Sequence, residues 1–352
     1  MTRKRGMSAT QAGRSQAREN TRAPGRARPF GKLRWRARCL LPVLAALPIA
    51  LGHGSVWAET LTVPGPDGSL EGEAILVPEA RAGVVIVPGS GPVDRDGNDP
   101  MGLRSDSYRL LAEGLSQAGV STLRIDKRGF FGSAGAVADP EDVTIAAYAE
   151  DAGRWLSAFA DKAGLPCVWL AGHSEGGLVA LVAAAQGNEP CGLILLATPG
   201  RPLGVLMREQ FRANPANAPY LDELDGLVAA LERGERRDPE TVSAPLRPLF
   251  RPGLQRYMAQ LFDYDPAAIA SGIELPVLIL QGEKDIQVRP QDARLLSEAM
   301  PQARLELLPG VTHMLKTGVP GEPLATYTDP GLPLAPAVMR TIADFVGSTQ
   351  EP

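Results

Sequence analysis

Cys167-Val168-Trp169-Leu170-Ala171-Gly172-His173-Ser174-Glu175-Gly176-Gly177-Leu178-Val179-Ala180-Leu181-Val182-Ala183-Ala184-Ala185 is the stretch from which the rest of the chain can be read. Its first five residues form a strand-like apolar run, and Gly177 to Ala185 form a helix-like one. Between them lies Gly-x-Ser-x-Gly. A serine at a tight strand-to-helix turn is held in a strained backbone conformation with its hydroxyl lifted above the sheet. The flanking glycines carry no Cβ, so strand and helix approach without a clash. The helix N-terminus sets backbone N–H groups beside the serine, where negative charge would develop. Five residues alone are a weak signal; strand before and helix after turn them into a candidate nucleophile.

Outward from this stretch the chain alternates strand and helix. Toward the N-terminus, strands are expected at 60–64, 71–77, 84–87 and 120–125, with helices near 106–118 and 143–163. After the serine helix, Gly192 to Ala197 is the sixth strand. Such alternation predicts a mostly parallel sheet flanked by helices, with right-handed crossovers. The alternation stops at residue 200. Residues 200–272 hold helical patterns near 203–213, 219–233 and 252–262, which predict a helical cap inserted between the sixth and seventh core strands. Strands resume at 276–280 and 303–308, with helices near 290–299 and 335–347. The core is therefore expected to span 59–199 and 273–352.

A serine hydroxyl is a poor nucleophile until a base takes its proton. The chain has three histidines, His53, His173 and His313. His53 falls in the N-terminal segment ahead of the first strand. His173 abuts the serine at the turn, where its ring is expected to point away from the hydroxyl. His313, in the loop after the last core strand, is left as the base. The base needs an acid to fix its tautomer. Asp285 follows the preceding strand in Gln281-Gly282-Glu283-Lys284-Asp285, with Glu283 as the alternative; Asp263 and Asp265 belong to the cap. All these loops close C-terminal strand ends, where α/β sheets place their chemistry. An oxyanion hole needs two donors: the N–H of Glu175, and one from the loop Pro88-Gly89-Ser90-Gly91-Pro92, for which Ser90 is the choice.

With these residues in place, the chain resembles the α/β-hydrolase superfamily over essentially all of 60–347. Within it, the chain is similar to bacterial carboxylesterase-like serine hydrolases with a Gly-Ser-Gly-Pro-x-Asp-Arg-Asp oxyanion loop, here Gly89 to Asp96. Asp126-x-Arg128-Gly129, Gly282-x-x-Asp285 and His313 complete the resemblance. Pro88 stands where many relatives have histidine, which loosens any transfer of substrate preference. The resemblance implies a Ser174–His313–Asp285 triad, an acyl-enzyme and a small-molecule ester substrate, with no cofactor. A peptidase is the alternative, with Asp222, Glu223 and Asp225 of the cap available to meet a substrate amine. A thioesterase ranks lower, and a non-catalytic binding protein on the same fold is the rival of another class.

Residues 1–38 carry twelve Lys or Arg and one acid, Glu19, ahead of the apolar run Cys39 to Leu51 and the end Val56-Trp57-Ala58. This pattern predicts an export signal over 1–58, cut after Ala58, and a periplasmic or secreted protein. The apolar run is shorter than the ~20 residues of a membrane span; a retained anchor is the other reading. Without the leader, 24 basic and 39 acidic residues remain, a formal charge of −15. Such a surface repels nucleic acid and anionic lipid, so neither is expected as a partner. No membrane association is expected of the mature form, and the oligomeric state is left open.

Cys167 and Cys191 remain, each opening a strand. If those strands are neighbours, a disulfide closing the 25-residue loop is available; two buried thiols are the equal alternative.

Asp94-Arg95-Asp96-Gly97-Asn98-Asp99 has the composition of a calcium loop but not its spacing, since the glycine is at the fourth position and Ser105 at the twelfth. These charges, with Asp126 and Arg128, are expected to brace the oxyanion loop. Two histidines and two cysteines are too few for an expected transition-metal site. Leu206, Phe211, Tyr220, Phe250, Tyr257 and Phe262 of the cap are expected to serve as its core or to line an acyl pocket.

Overall fold

A computed structural model describes residues 57–348. The expected leader, with Cys39 and His53, lies outside the described residues except for Trp57 and Ala58. Eight strands form one sheet in the order β1-β2-β4-β3-β5-β6-β7-β8. They are β1 (Trp57–Pro64), β2 (Ser69–Leu76), β3 (Ala82–Val87), β4 (Val120–Ile125), β5 (Trp169–His173), β6 (Leu193–Leu196), β7 (Val277–Gly282) and β8 (Arg304–Leu308). The β1–β2 and β2–β4 pairs are antiparallel, and every pair from β4 to β8 is parallel.

The central strands are buried on both faces, as a parallel sheet covered by helices requires. Alternation divides their side chains. Val85, Val87, Leu170, Leu195 and Ile279 face a core that includes Trp155 and Phe159 of α2 (Ile145–Ala163) and residues of α3 (Glu175–Ala185) and α8 (Pro290–Ala299). Val84, Ile86, Trp169, Ile194 and Leu280 face a second core with α1 (Ser107–Gln117) and α10 (Pro336–Ser348). Thr144 caps α2 through the Ala147 N–H, and Gly164 ends it in the left-handed region.

Between β6 and β7 lie α4 (Leu203–Ala213), α5 (Leu221–Glu232), α6 (Pro252–Phe262) and the short α7 (Pro266–Ala270). They build their own small core from Leu224, Val228, Leu231, Leu246, Phe250 and Phe262. Phe211 and Tyr220 pack against it, so four of the six residues offered as core or pocket are core.

Three differences from the expected elements have physical reasons. β1 begins at Trp57, because Trp57 and Ala58 continue the ladder opposite Leu76 and Ile75. β5 runs two residues past Ala171, because Gly172 and His173 stay extended up to the turn. α7 and α9 (Ala325–Thr328) are one-turn helices too short to show a period. Cys167 and Cys191 are joined by a disulfide with Cα atoms 5.4 Å apart, just ahead of the neighbouring strands β5 and β6.

Candidate active site

Ser174 follows β5 and caps α3 with φ 54° and ψ −121°, a strained combination for a residue with a Cβ. The strain is over-determined by its surroundings. The Ser174 N–H donates to the Leu196 carbonyl at 2.8 Å, and its own carbonyl accepts from Gly177 at 2.9 Å. A Cβ on Gly172 would sit 2.1 Å from the Gly176 carbonyl oxygen, and one on Gly176 would sit 2.4 Å from that of Val87. Only glycine permits this approach of strand, turn and helix. Glu175 is the first residue of α3, so its N–H has no acceptor within the helix.

Asp285 and His313 meet in a buried hydrogen bond, His313 Nδ1 to Asp285 Oδ2 at 2.7 Å. The carboxylate is saturated: Oδ1 accepts from the N–H groups of Gln287 and Val288 at 2.7 and 2.9 Å, and Oδ2 also accepts from Gln281 Nε2 at 3.1 Å. Burial opposes its ionisation, but the facing His313 and the two backbone donors outweigh burial and hold its pKa below the usual carboxylate range. Asp285 thus fixes the tautomer with Nδ1 protonated and leaves Nε2 as acceptor. Glu283, the alternative acid, is exposed. Among the described residues the Ser174 hydroxyl makes no hydrogen bond to His313; nucleophile–base contacts commonly tighten only around substrate.

His173 points away from the serine and has a task the sequence did not disclose. Its Nε2 lies 2.8 Å from the His313 carbonyl oxygen, and its Nδ1 lies 2.8 Å from the Tyr108 hydroxyl. A carbonyl can only accept, so Nε2 carries the proton and Nδ1 accepts from Tyr108. The Tyr108 oxygen in turn accepts the Gly89 N–H at 3.0 Å. One chain of hydrogen bonds therefore runs from the loop after β3, through α1 and the residue before Ser174, to the backbone of His313. Complete burial, assisted by the neighbouring His313, drives the His173 pKa down to about 3, so the ring is neutral at pH 7.

The loop after β3 is braced as the charge pattern suggests. Asp126 accepts from the Arg95 N–H at 2.9 Å and from the Arg95 guanidinium. Asp94 Oδ1 accepts from the N–H groups of Asp96 and Asn98, so the segment with the calcium-like composition folds around itself. Arg128 corrects the expectation: it pairs with Asp151 of α2 rather than with this loop, at 2.7 and 2.8 Å. Between them stands Lys127, buried beside Glu175, at the unassigned position of the Asp126-x-Arg128-Gly129 motif. Its position just after a central parallel strand was the available signal.

A cleft of about 360 Å³ opens over Ser174, a size usual for small-molecule sites. Ser90, Gly91, Ser174 and Glu175 line one side. The other side is largely apolar, from Leu206 and Met207 of α4 and Leu254, Tyr257, Met258 and Leu261 of α6. Asp222, Glu223 and Asp225, offered as amine-binding acids, do not line it. Asp225 pairs with Arg212, Glu223 accepts from the Ser243 N–H at 2.7 Å, and Asp222 is exposed. No group of acids, histidines and cysteines suited to hold a metal ion occurs among the described residues.

Residues 84–324 match the family described as Alpha/beta hydrolase family. Esterase EstD of Thermotoga maritima is 27% identical over 282 residues, an alignment that takes in 77% of this chain but only 63% of that protein. Among solved structures, a thermophilic esterase from Thermogutta terrifontis superposes with a TM-score of 0.51 at 19% identity, covering 83% of this chain and all of that one. Proline iminopeptidase of Mycobacterium smegmatis does so with a TM-score of 0.55 at 16% identity, covering 83% and 98%. At such identities the two structures speak for the fold alone.

Proposed function

Since this chain belongs to the alpha/beta hydrolase family, we propose that it is a serine hydrolase of carboxylic esters, working through Ser174, His313 and Asp285. The observation that carries this reading is the saturated, buried Asp285 holding His313 Nδ1 at 2.7 Å, in a loop bonded to the residue before the strained Ser174. His313 Nε2 takes the Ser174 proton as Oγ attacks the ester carbonyl. The oxyanion is held by the N–H groups of Glu175 and Ser90. Collapse of the tetrahedral adduct expels the alcohol, which takes the proton from His313, and leaves an acyl-Ser174. Water, deprotonated by His313, attacks the acyl carbon; release of the carboxylic acid restores the serine. Every proton is accounted for by one histidine, so the sequence of steps calls on no cofactor.

The apolar side of the cleft favours an ester with a hydrocarbon acyl group, and the esterase relative from Thermotoga maritima supports ester hydrolysis as such. A peptidase would need an anion for the substrate amine, and the three cap acids proposed for that task are not in the cleft. The test is turnover of p-nitrophenyl acetate, butyrate, octanoate and palmitate, with Ser174→Ala in parallel. Hydrolysis that vanishes in the variant supports the reading; equal hydrolysis by both proteins overturns it.

The reading extends to export, with the leader removed after Ala58 and the mature protein periplasmic or secreted. The basic-then-apolar N-terminus and the Cys167–Cys191 disulfide, a bond of oxidising compartments, support it. Removal there would leave Glu59–Pro64 in β1. N-terminal sequencing of the mature protein decides the cut, and a protein beginning at its initiator methionine would refute it.

A further inference from the structure

Lys127 is a buried cation that the catalytic steps above leave without a task. Its side chain is 2% exposed, and its Nζ has three neighbours. It donates to the Gly89 carbonyl oxygen at 2.5 Å, it donates to Glu175 Oε1 at 3.3 Å, and it lies 5.1 Å from the centre of the Tyr148 ring. Two of its three hydrogens go to these oxygens, and its charge lies over the ring face. Burial lowers its pKa below the ordinary lysine value while Glu175 opposes that shift.

The identity of the two acceptors is informative. The Gly89 carbonyl and the Ser90 N–H belong to one peptide unit, which is planar and trans, so they point in opposite directions. Nζ on the carbonyl side therefore sets the direction of the Ser90 N–H, which bonds to nothing else among the described residues and belongs to a residue lining the cleft beside Ser174. Charge on the carbonyl side also polarises the peptide and strengthens its N–H as a donor. The second acceptor is the side chain of Glu175, whose own N–H faces the same reaction. The Gly89 N–H is fixed independently by Tyr108 at 3.0 Å. Gly89 is thus held at both of its polar groups by side chains from two separate elements, while the Lys127 side links it to α3.

We propose that Lys127 is the positioning residue of the oxyanion hole, tying the Gly89 carbonyl to the Glu175 carboxylate so that the Ser90 and Glu175 amides converge on one point. This rests on the reading of those two amides as oxyanion donors. It differs from a purely structural ion pair in what it makes Lys127 do: the ammonium acts on the transition state through the peptide it holds.

The test compares the purified protein as wild type, Lys127→Met and Lys127→Met/Glu175→Gln. Deleting one oxyanion donor commonly costs ~10²–10³ in turnover, and a misaimed donor is expected to cost about 30-fold in kcat with KM within about 3-fold. Affinity for an alkylboronic acid, whose tetrahedral adduct on Ser174 mimics the transition state, should fall in parallel. The double variant removes the carboxylate that Lys127→Met strands in the interior, so it tests function apart from folding. Its thermal midpoint should return toward wild type while kcat stays low. Recovery of wild-type kcat in the double variant would reduce Lys127 to a counter-ion and overturn the proposal. So would a Lys127→Met protein with unchanged kcat and boronate affinity. Should wild-type protein neither hydrolyse esters nor label at Ser174 with a fluorophosphonate, the underlying reading falls and this proposal with it. Labelling and hydrolysis that persist unchanged in Lys127→Met sink only the role of Lys127.

Discussion

The two sides of the cleft are built on opposite principles. On the sheet side, hydrogen bonds fix nearly every group: Asp285 is saturated, His173 is bonded at both ring nitrogens, and Gly89 is held through both its N–H and its carbonyl. On the helical side, Leu206, Met207, Leu254, Met258 and Leu261 present interchangeable apolar surface above a small core. Directional bonds fail when one partner is lost, because the other is left buried and unsatisfied. Apolar walls tolerate change in identity and respond to volume. The sheet side should therefore govern whether a substrate turns over, and the helical side which substrate fits.

The comparison breaks most readily at Asp285. Asp285→Asn keeps the shape but removes the charge that fixes the His313 tautomer, and kcat on p-nitrophenyl butyrate should fall by ~10⁴. A loss below about 10-fold would show that the sheet side is not the catalytic one.

His173→Phe should come next, at roughly 10²-fold in kcat, because it cuts the chain between Tyr108 and the His313 backbone and lets the base shift. The same variant sharpens the comparison through stability. In the folded protein His173 ionises only near pH 3, whereas in the unfolded chain it does so near its ordinary 6.5. The unfolded state thus binds the extra proton between these values, and stability is eroded as pH falls from 6.5 toward 3. The full effect is on the order of 5 kcal/mol. Urea midpoints across this range should fall less steeply for His173→Phe than for wild type; parallel slopes would contradict the buried neutral ring.

On the helical side, Leu206→Trp should leave acetate turnover within about 3-fold and cut octanoate turnover by about 10-fold, since each methylene that no longer fits forfeits roughly 1–3 kcal/mol. An equal loss on both esters would mean that α4 affects the chemistry and not only the fit. The smallest catalytic effect is expected far from the cleft. Cys167→Ser/Cys191→Ser should lower stability by roughly 3 kcal/mol and leave kcat unchanged.

What was legible in the sequence divides along the same line. The strand 120–125 and the helices at 203–213, 252–262 and 290–299 stand where periodicity puts them, because apolar alternation is a local signal. The elbow was legible because its glycines and serine are adjacent. His313 emerged by elimination among three histidines and Asp285 by its place after the preceding strand, and the structure brings them together. The supporting bonds were not legible. Tyr108, His173 and His313 are separated by 65 and 140 residues, and nothing in the local pattern marks a polar group that the fold buries. Lys127 was an unassigned position in the Asp126-x-Arg128-Gly129 motif because only the packed structure brings its ammonium to the Gly89 carbonyl. The cap acids failed as amine binders for a related reason: sequence placed them on the right segment but could not say which face meets the cleft.

The most direct test of the central claim is the mass of the peptide containing Ser174 after rapid acid quench of the protein with p-nitrophenyl butyrate. The account predicts a butyryl group on Ser174, formed as fast as the first equivalent of p-nitrophenol and absent from Ser174→Ala. Ester turnover with an unmodified Ser174 peptide, or undiminished in Ser174→Ala, would contradict it.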